Sequence, residues 1–476
     1  MNFIYFNPDE MRADLLGCYG HELAQTPNFD RFAAEGVRFD QCHVQHTVCA
    51  PSRASFLTGW YPHVRGHRTL WHPLQGDEPN TFRYLKEAGY DVFVSGKNDA
   101  FSAAAQELSV TGRIAAEIEL VTPVGEAPEK RLFQNFLHQP YEGHHEDYYK
   151  TRAVIAKLRE LKDSPTPFMI FMAHEYPHCP YTCPREYYNM YDPADLPPLR
   201  PADLEGKPAL YSAIRKHREL YHLGEDDFTK IMAVYLGMIS YVDAQFGLLL
   251  DALEETGLDK TTAVFFFSDH GDWAGDYGLV EKWPSALDDC LTRVPMIVRS
   301  PGCRAGHVVR EPVECFDIMP TTLELAGIEA GHTHFARSMV PQLNGAAGDK
   351  DRFVFAEGGY NTNEPHCFEG NDDFDSGLSL LDVPDHVYHK KAVQQQEAPQ
   401  TVSRSVMIRS LDHKLVERPD GTSEFYDLNK DPQELVNRYH DPACQEGISR
   451  CQKELMRWYI RTSDVVPFAK DPRGWK

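Results

Sequence analysis

The 476-residue chain has no long apolar run at its start, no basic leader, no C-x-x-C pairs, no internal repeat and no excess of positive charge. Each absence removes a class of protein. Met1-Asn2-Phe3-Ile4-Tyr5-Phe6 is a short apolar run ended by Asn7-Pro8-Asp9-Glu10. A signal peptide needs a basic start and a longer apolar stretch, and a membrane helix needs ~20 apolar residues. The expectation is a cytoplasmic protein without membrane attachment. The 11 cysteines are scattered and odd in number, which argues against a disulfide framework and a cysteine zinc site; Cys179 and Cys183 read as free thiols. With 71 acidic against 48 basic side chains the formal charge is −23, so nucleic acid and anionic membranes are repelled. An anionic substrate would need a local cluster of cations or a metal.

What is present is the balance of a soluble globular protein, 42% hydrophobic and 25% charged, with ample material for a core. Phe3 to Phe6, Tyr90 to Val94, Phe168 to Met172, Thr262 to Phe267 and Val294 to Val298 read as buried strands. Asn28 to Glu35 and Glu225 to Glu255 carry helical periodicity. Strands alternating with helices predict an α/β fold, a large, mostly parallel sheet covered on both faces. The Pro-rich, charged stretch Asp192 to Lys207 reads as a surface excursion, and Asn361 to Gln400 as a long loop. Beyond it, Ser405 to Ile408 and Lys414 to Val416 read as antiparallel strands and Cys444 to Ile460 as a closing helix. This divides the chain into a catalytic domain, 1–350, and a small C-terminal α+β subdomain, 351–476.

The most informative stretch is Cys49-Ala50-Pro51-Ser52-Arg53-Ala54-Ser55-Phe56-Leu57-Thr58-Gly59. Pro and Ser favour the first turn of a helix, and a reactive group there meets oriented amides suited to anionic chemistry. A small buried Cys on a capped helix is the plain alternative. The segment, however, matches C-x-P-S-R-x-x-x-L-T-G at every specified position and continues into Gly59-Trp60-Tyr61-Pro62-His63. The chain therefore resembles the type I sulfatases, within the alkaline-phosphatase-like superfamily, over nearly its full length: Asp9 to Gly20, Thr26 to Asp30, and Phe425 to Pro432 take part. The resemblance implies an alkaline-phosphatase-like fold and a sulfuric ester hydrolase. It also implies that Cys49 is oxidised to formylglycine by a formylglycine-generating or anaerobic sulfatase-maturating enzyme. A thiol or serine would be left as a slowly hydrolysed sulfo-enzyme, whereas a hydrated aldehyde has a second hydroxyl whose deprotonation expels sulfate.

Asp9 and Glu10 follow the first strand, and Asp269 and His270 follow the strand ending at Phe267. Side chains at strand carboxyl ends face the ligand crevice of an α/β sheet. With residue 49 they suit one divalent cation, although an Asp-Glu pair alone reads as a solvated turn. Ser268-Asp269-His270-Gly271, with Leu279 and Lys282 beyond, is similar to the family's second metal segment. Oxygen-rich ligation favours Ca2+, which the resemblance also implies, or Mg2+; one imidazole admits Mn2+. Glu10 stands where the family usually has Asp.

By the same resemblance Arg53, Lys97 and Lys282 supply positive charge for the sulfate. His178, in Pro177-His178-Cys179-Pro180-Tyr181, binds sulfate and protonates the departing alcohol. One departure stands out: many sulfatases have G-K-x-H, and here the run is Gly96-Lys97-Asn98-Asp99. Asp99 is expected to replace the imidazole as base, with a turn-capping role as the alternative, and Asn98 to contact substrate. His63, His67, Arg68, Trp71 and His72 are expected to line a sugar pocket, or else to form a hydrogen-bonded loop. Tyr141 to Tyr149 is expected at its rim. The favoured substrate is a sulfated saccharide or other small molecule; a homo-oligomer is left open. The rivals are an arylsulfatase or phosphonate monoester or phosphodiester hydrolase, and an inactive sulfated-glycan binder.

Overall fold

The computed structural model describes residues 1–370, 379–466 and 468. Its centre is strand β1 (Asn2–Pro8), whose side chains alternate between two apolar clusters. Ile4 and Phe6 enter one cluster and Phe3 and Tyr5 the other, because successive residues of a strand leave opposite faces. The sheet is completed by β2 (Val37–His43), β3 (Asp91–Gly96), β4 (Gly112–Arg113), β5 (Phe168–His174), β6 (Thr262–Phe267), β7 (Arg293–Val294), β8 (Met296–Arg299) and β9 (His307–Glu314). The nine strands take the order β9-β2-β8-β6-β1-β5-β3-β4, with β7 pairing beside β2. Only β7 and β8 run against the others, so the expected mostly parallel α/β sheet is what the chain forms.

Helices cover both faces. Pro27–Glu35, Glu146–Leu161 and Glu225–Thr256 pack on the Ile4 side, and Cys49–Thr58 and Thr81–Glu87 on the Phe3 side. The Glu225–Thr256 helix is long and apolar enough to cross a membrane by length and composition, but 89% of its apolar window is buried inside the protein. It is a core helix that serves as one layer of the sandwich.

A second, four-stranded antiparallel sheet joins β10 (Val354–Gly358), β11 (Ser405–Arg409), β12 (His413–Glu417) and β13 (Glu424–Asp427). Helix Gln445–Thr462 closes over it. Val406, Ile408, Leu415 and Phe425 join the same apolar cluster as Phe3 and Tyr5, so this C-terminal layer extends the first core.

Two local expectations are corrected. Val294 to Val298 is not one strand: Pro295, which has no N–H to donate, separates β7 from β8. The stretch from Asn361 to Gln400 is not all loop, since His389–Glu397 is helical; residues 371–378 lie outside the described residues. The stretch from Asp192 to Lys207 is exposed or half-buried throughout, a surface excursion whose last side chain, Lys207, tucks its ammonium 3.0 Å from Asp288. All eleven cysteines are free thiols.

Candidate active site

Because β1, β2, β3, β5 and β6 are parallel, their carboxyl ends open on one edge of the sheet, and the residues that follow them converge there. Asp9 comes one residue after β1, Lys97 directly after β3, and Asp269 two residues after β6. Cys49 begins the helix reached from β2. Gly96 turns the chain at φ 93°, where an added Cβ would lie 2.0 Å from the Ala173 carbonyl oxygen of the neighbouring strand. Only glycine allows that close approach and so delivers Lys97 inward.

The floor is buried and densely charged. The Cys49 thiol donates to Asp9 Oδ1 at 3.3 Å and lies 3.2 Å from His270 Nε2. Arg53, one helical turn beyond Cys49, bonds Asp269 Oδ2 at 2.9 Å and Asp9 Oδ2 at 3.1 Å. Lys97 Nζ reaches Asp9 Oδ2 at 2.9 Å and Asp99 Oδ2 at 2.9 Å. Donor atoms of Asp9, Cys49, Asp269 and His270 all lie within 4.8 Å of one another. His270 Nδ1 donates to the Gly271 carbonyl at 3.0 Å, which leaves the lone pair on Nε2 facing the group. Burial holds the His270 imidazole below its ordinary range, in the neutral form that ligates. Two carboxylates, one neutral imidazole and residue 49 fit a single divalent cation.

Glu10 goes elsewhere. Its backbone sits at φ 68°, a left-handed conformation that is uncommon outside glycine, and Tyr235 donates to its carbonyl. The turn sends the carboxylate away from its sequence neighbour, to Lys282 Nζ at 3.0 Å and His178 Nε2 at 3.4 Å. Glu10 therefore stands outside the four-atom group, and its Oε1 is buried without a hydrogen-bond partner.

His178 Nδ1 donates to the Cys179 carbonyl at 2.6 Å, and Nε2 accepts from Lys282 Nζ at 2.6 Å. Burial and Lys282 hold the imidazole well below its ordinary range. Burial works against the Lys282 ammonium, but Glu10 keeps it well above, so the proton of this pair rests on Lys282. For Asp9, burial favours the neutral acid, yet the Lys97 ammonium and the Arg53 guanidinium hold the carboxyl well below its usual range. Burial and then Asp9 push the Cys49 thiol up, which disfavours a thiolate nucleophile.

A cavity of about 1380 Å³ opens over this floor, lined by Cys49, Lys97, Asn98, Asp99, His178 and Lys282. Trp71 lines it too. Asn98 spends its amide on Phe101 and Gln106 within its own turn. His67, Arg68 and His72 are not on the cavity wall: His67 bonds the His72 carbonyl and Glu78, Arg68 reaches Glu357 at 3.2 Å, and His72 bonds Thr69. These three take the alternative role, a hydrogen-bonded loop, because the buried carboxylates Glu78 and Glu357 claim His67 and Arg68, and the Thr69 hydroxyl claims His72. Tyr141 and His145 of the expected rim line an adjoining lobe. Sequence reading missed Tyr388 and Lys391, which also wall the cavity; they lie in the polar stretch read as loop, where no motif marks them.

The chain is similar to known proteins. The family model described as Sulfatase matches residues 1–328. The uncharacterized sulfatase YidJ of Escherichia coli is 30% identical over 69% of this chain and 68% of its own length. The N-acetylglucosamine-6-O-sulfatase of Bacteroides thetaiotaomicron is 24% identical over 96% of this chain and 85% of its own. Among solved structures, the phosphonate monoester hydrolase from Silicibacter pomeroyi superposes with TM-score 0.77 at 22% identity, covering 97% of this chain and 96% of that one. With its family model covering more than half of the chain, the protein belongs to the sulfatase family of sulfuric ester hydrolases.

Proposed function

We propose that the enzyme cleaves a sulfate monoester on a carbohydrate, with residue 49 attacking sulfur after oxidation of Cys49 to formylglycine. The observation that carries this reading is the placement of Cys49 within one buried group of Asp9, Asp269 and His270, beside Lys97 and the Lys282–His178 pair. A thiol held protonated by burial is a poor nucleophile, whereas conversion by a formylglycine-generating or anaerobic sulfatase-maturating enzyme would supply a hydrated aldehyde with two hydroxyls. Asp9, Asp269, His270 and residue 49 would hold a divalent cation, Ca2+ before Mg2+ or Mn2+. That ion supplies Lewis acidity and orients a hydroxyl.

The chain's own side chains do the rest. Lys97 and Lys282 present ammonium groups to the sulfate oxygens, offsetting charge that the acidic protein would otherwise repel. Arg53 fixes the carboxylates of Asp9 and Asp269 in place. The proton at the Lys282 Nζ–His178 Nε2 contact is available to the departing alcohol. Asp99, on the cavity wall and bonded to Lys97, takes the proton whose loss releases sulfate. The breadth of the cavity and the relatives named N-acetylglucosamine-6-O-sulfatase and iduronate 2-sulfatase support a saccharide.

A second reading, a promiscuous arylsulfatase and phosphonate monoester hydrolase, is supported by a 25% match over 99% of this chain to the multifunctional alkaline phosphatase superfamily protein PehA of Trinickia caryophylli. Parallel rates on sulfated saccharides, an aryl sulfate and a phosphonate monoester separate the two. The sulfatase reading requires a higher kcat/KM on a sulfate ester. Mass spectrometry of the peptide bearing residue 49 in active enzyme should find the aldehyde; a plain thiol there would sink the mechanism.

A further inference from the structure

The cavity over the floor has a neighbour, a lobe of about 610 Å³, within the size range of ligand sites. Lys97, His178 and Tyr388 line both spaces. Anything that fills the lobe therefore stands beside the same ammonium and imidazole that face the ester. The two spaces differ in chemistry. The larger is edged by charged groups such as Asp99, Arg113, Lys282 and Lys391; the smaller is walled mainly by rings and aliphatic carbons.

Its rings are already fixed in place. His138 stacks on Phe133 with centroids 4.2 Å apart and planes 4° from parallel, and His145 stacks on Tyr176 at 3.7 Å and 17°. The Tyr176 and Tyr141 hydroxyls hydrogen bond at 2.9 Å. Tyr388 stands between the two spaces, with its hydroxyl 3.6 Å from Cys179 Sγ and its ring 5.2 Å from that of Phe136. Pre-stacked, half-desolvated aromatic walls favour a flat apolar guest, since no ordering of the walls is needed on binding.

We propose that this lobe is a subsite for a flat, apolar arm of the leaving alcohol, with Tyr388 as the partition. The sulfated position of the substrate then lies between two arms, a polar one in the large cavity and an aromatic one in the lobe. The inference rests on the hydrolase reading above and adds the chemical class of the alcohol.

Two exposed alanines allow a test that leaves the catalytic groups intact. Ala127 lines the lobe and Ala103 the large cavity, so Ala127→Trp fills the first and Ala103→Trp the second. The unsubstituted enzyme should turn over biphenyl-4-yl sulfate with a kcat/KM about tenfold above phenyl sulfate, as burial of a second ring predicts. Ala127→Trp should erase that preference while phenyl sulfate changes less than about twofold, and Ala103→Trp should preserve it. Calorimetry of the two esters with Cys49→Ala protein, alone and combined with each tryptophan, reads the same preference without turnover. No preference in the unsubstituted enzyme, or a preference removed by Ala103→Trp and kept by Ala127→Trp, overturns the proposal. If neither ester is turned over, the calorimetric comparison decides the subsite, and the hydrolase reading is judged separately by rates on sulfated saccharides.

Discussion

The floor of the cavity and its walls are built in different ways. Asp9, Arg53, Asp269 and His270 are fully buried, each set at or near the end of a parallel strand or on the first turns of a fully buried helix, and each is tied to another floor residue. The walls come from long connections: the loop carrying Leu70, Trp71 and Pro73, the turn at Asn98, the Val121–His145 stretch and the segment reaching Tyr388 and Lys391. Floor geometry is set by the sheet, so it tolerates little change. Wall residues are held by local hydrogen bonds, so they can vary with the alcohol while the sulfate end stays constant. Asp9 and Glu10 show how sharp the boundary is, because a single left-handed residue turns adjacent carboxylates to opposite partners.

Breaking the floor should have the largest effect. Cys49→Ala should lower kcat by at least ~10⁴-fold, with an unchanged melting temperature, because a methyl group fits where the thiol stood. Next, Asp99→Asn should lower kcat by about 10³-fold with KM within a few-fold. Normal turnover of that variant would return Asp99 to a turn-capping role and make the base a floor residue.

Stability experiments sharpen the same contrast. His174, at the end of β5, is held neutral by burial, with its ring brought down to about 4. The unfolded chain binds a proton near pH ~6.5. The stability linked to this ring is complete above that value and is lost as pH falls to about 4, a total of about 3 kcal/mol. Denaturant midpoints across this window should fall less steeply in His174→Gln. Smaller still is the effect of loosening a wall. Although burial opposes it, Arg68 and His63 hold the Glu357 carboxyl down at about 2; Glu357 accepts from the His63 amide at 2.9 Å and its ring at 2.7 Å. Glu357→Gln should cost about 2 kcal/mol of stability and change kcat by less than about twofold. A large fall in kcat would show that the loop reaches the floor.

The residues themselves announced the α/β alternation, the Cys49 helix and most of the floor, because apolar strand runs and short contiguous motifs carry that information in neighbouring positions. Cys49, Arg53, Lys97, Asp269 and Lys282 are legible for this reason. Residue order alone did not decide the course of Glu10, the packing of His67, Arg68 and His72 into a loop, or the arrival of Tyr388 beside His178. Those outcomes depend on a backbone torsion and on partners such as Glu357 and Cys179, 289 residues from Arg68 and 209 from Tyr388 along the chain. Only the folded chain creates such long-range pairings, since a polar side chain takes whichever buried partner satisfies it best.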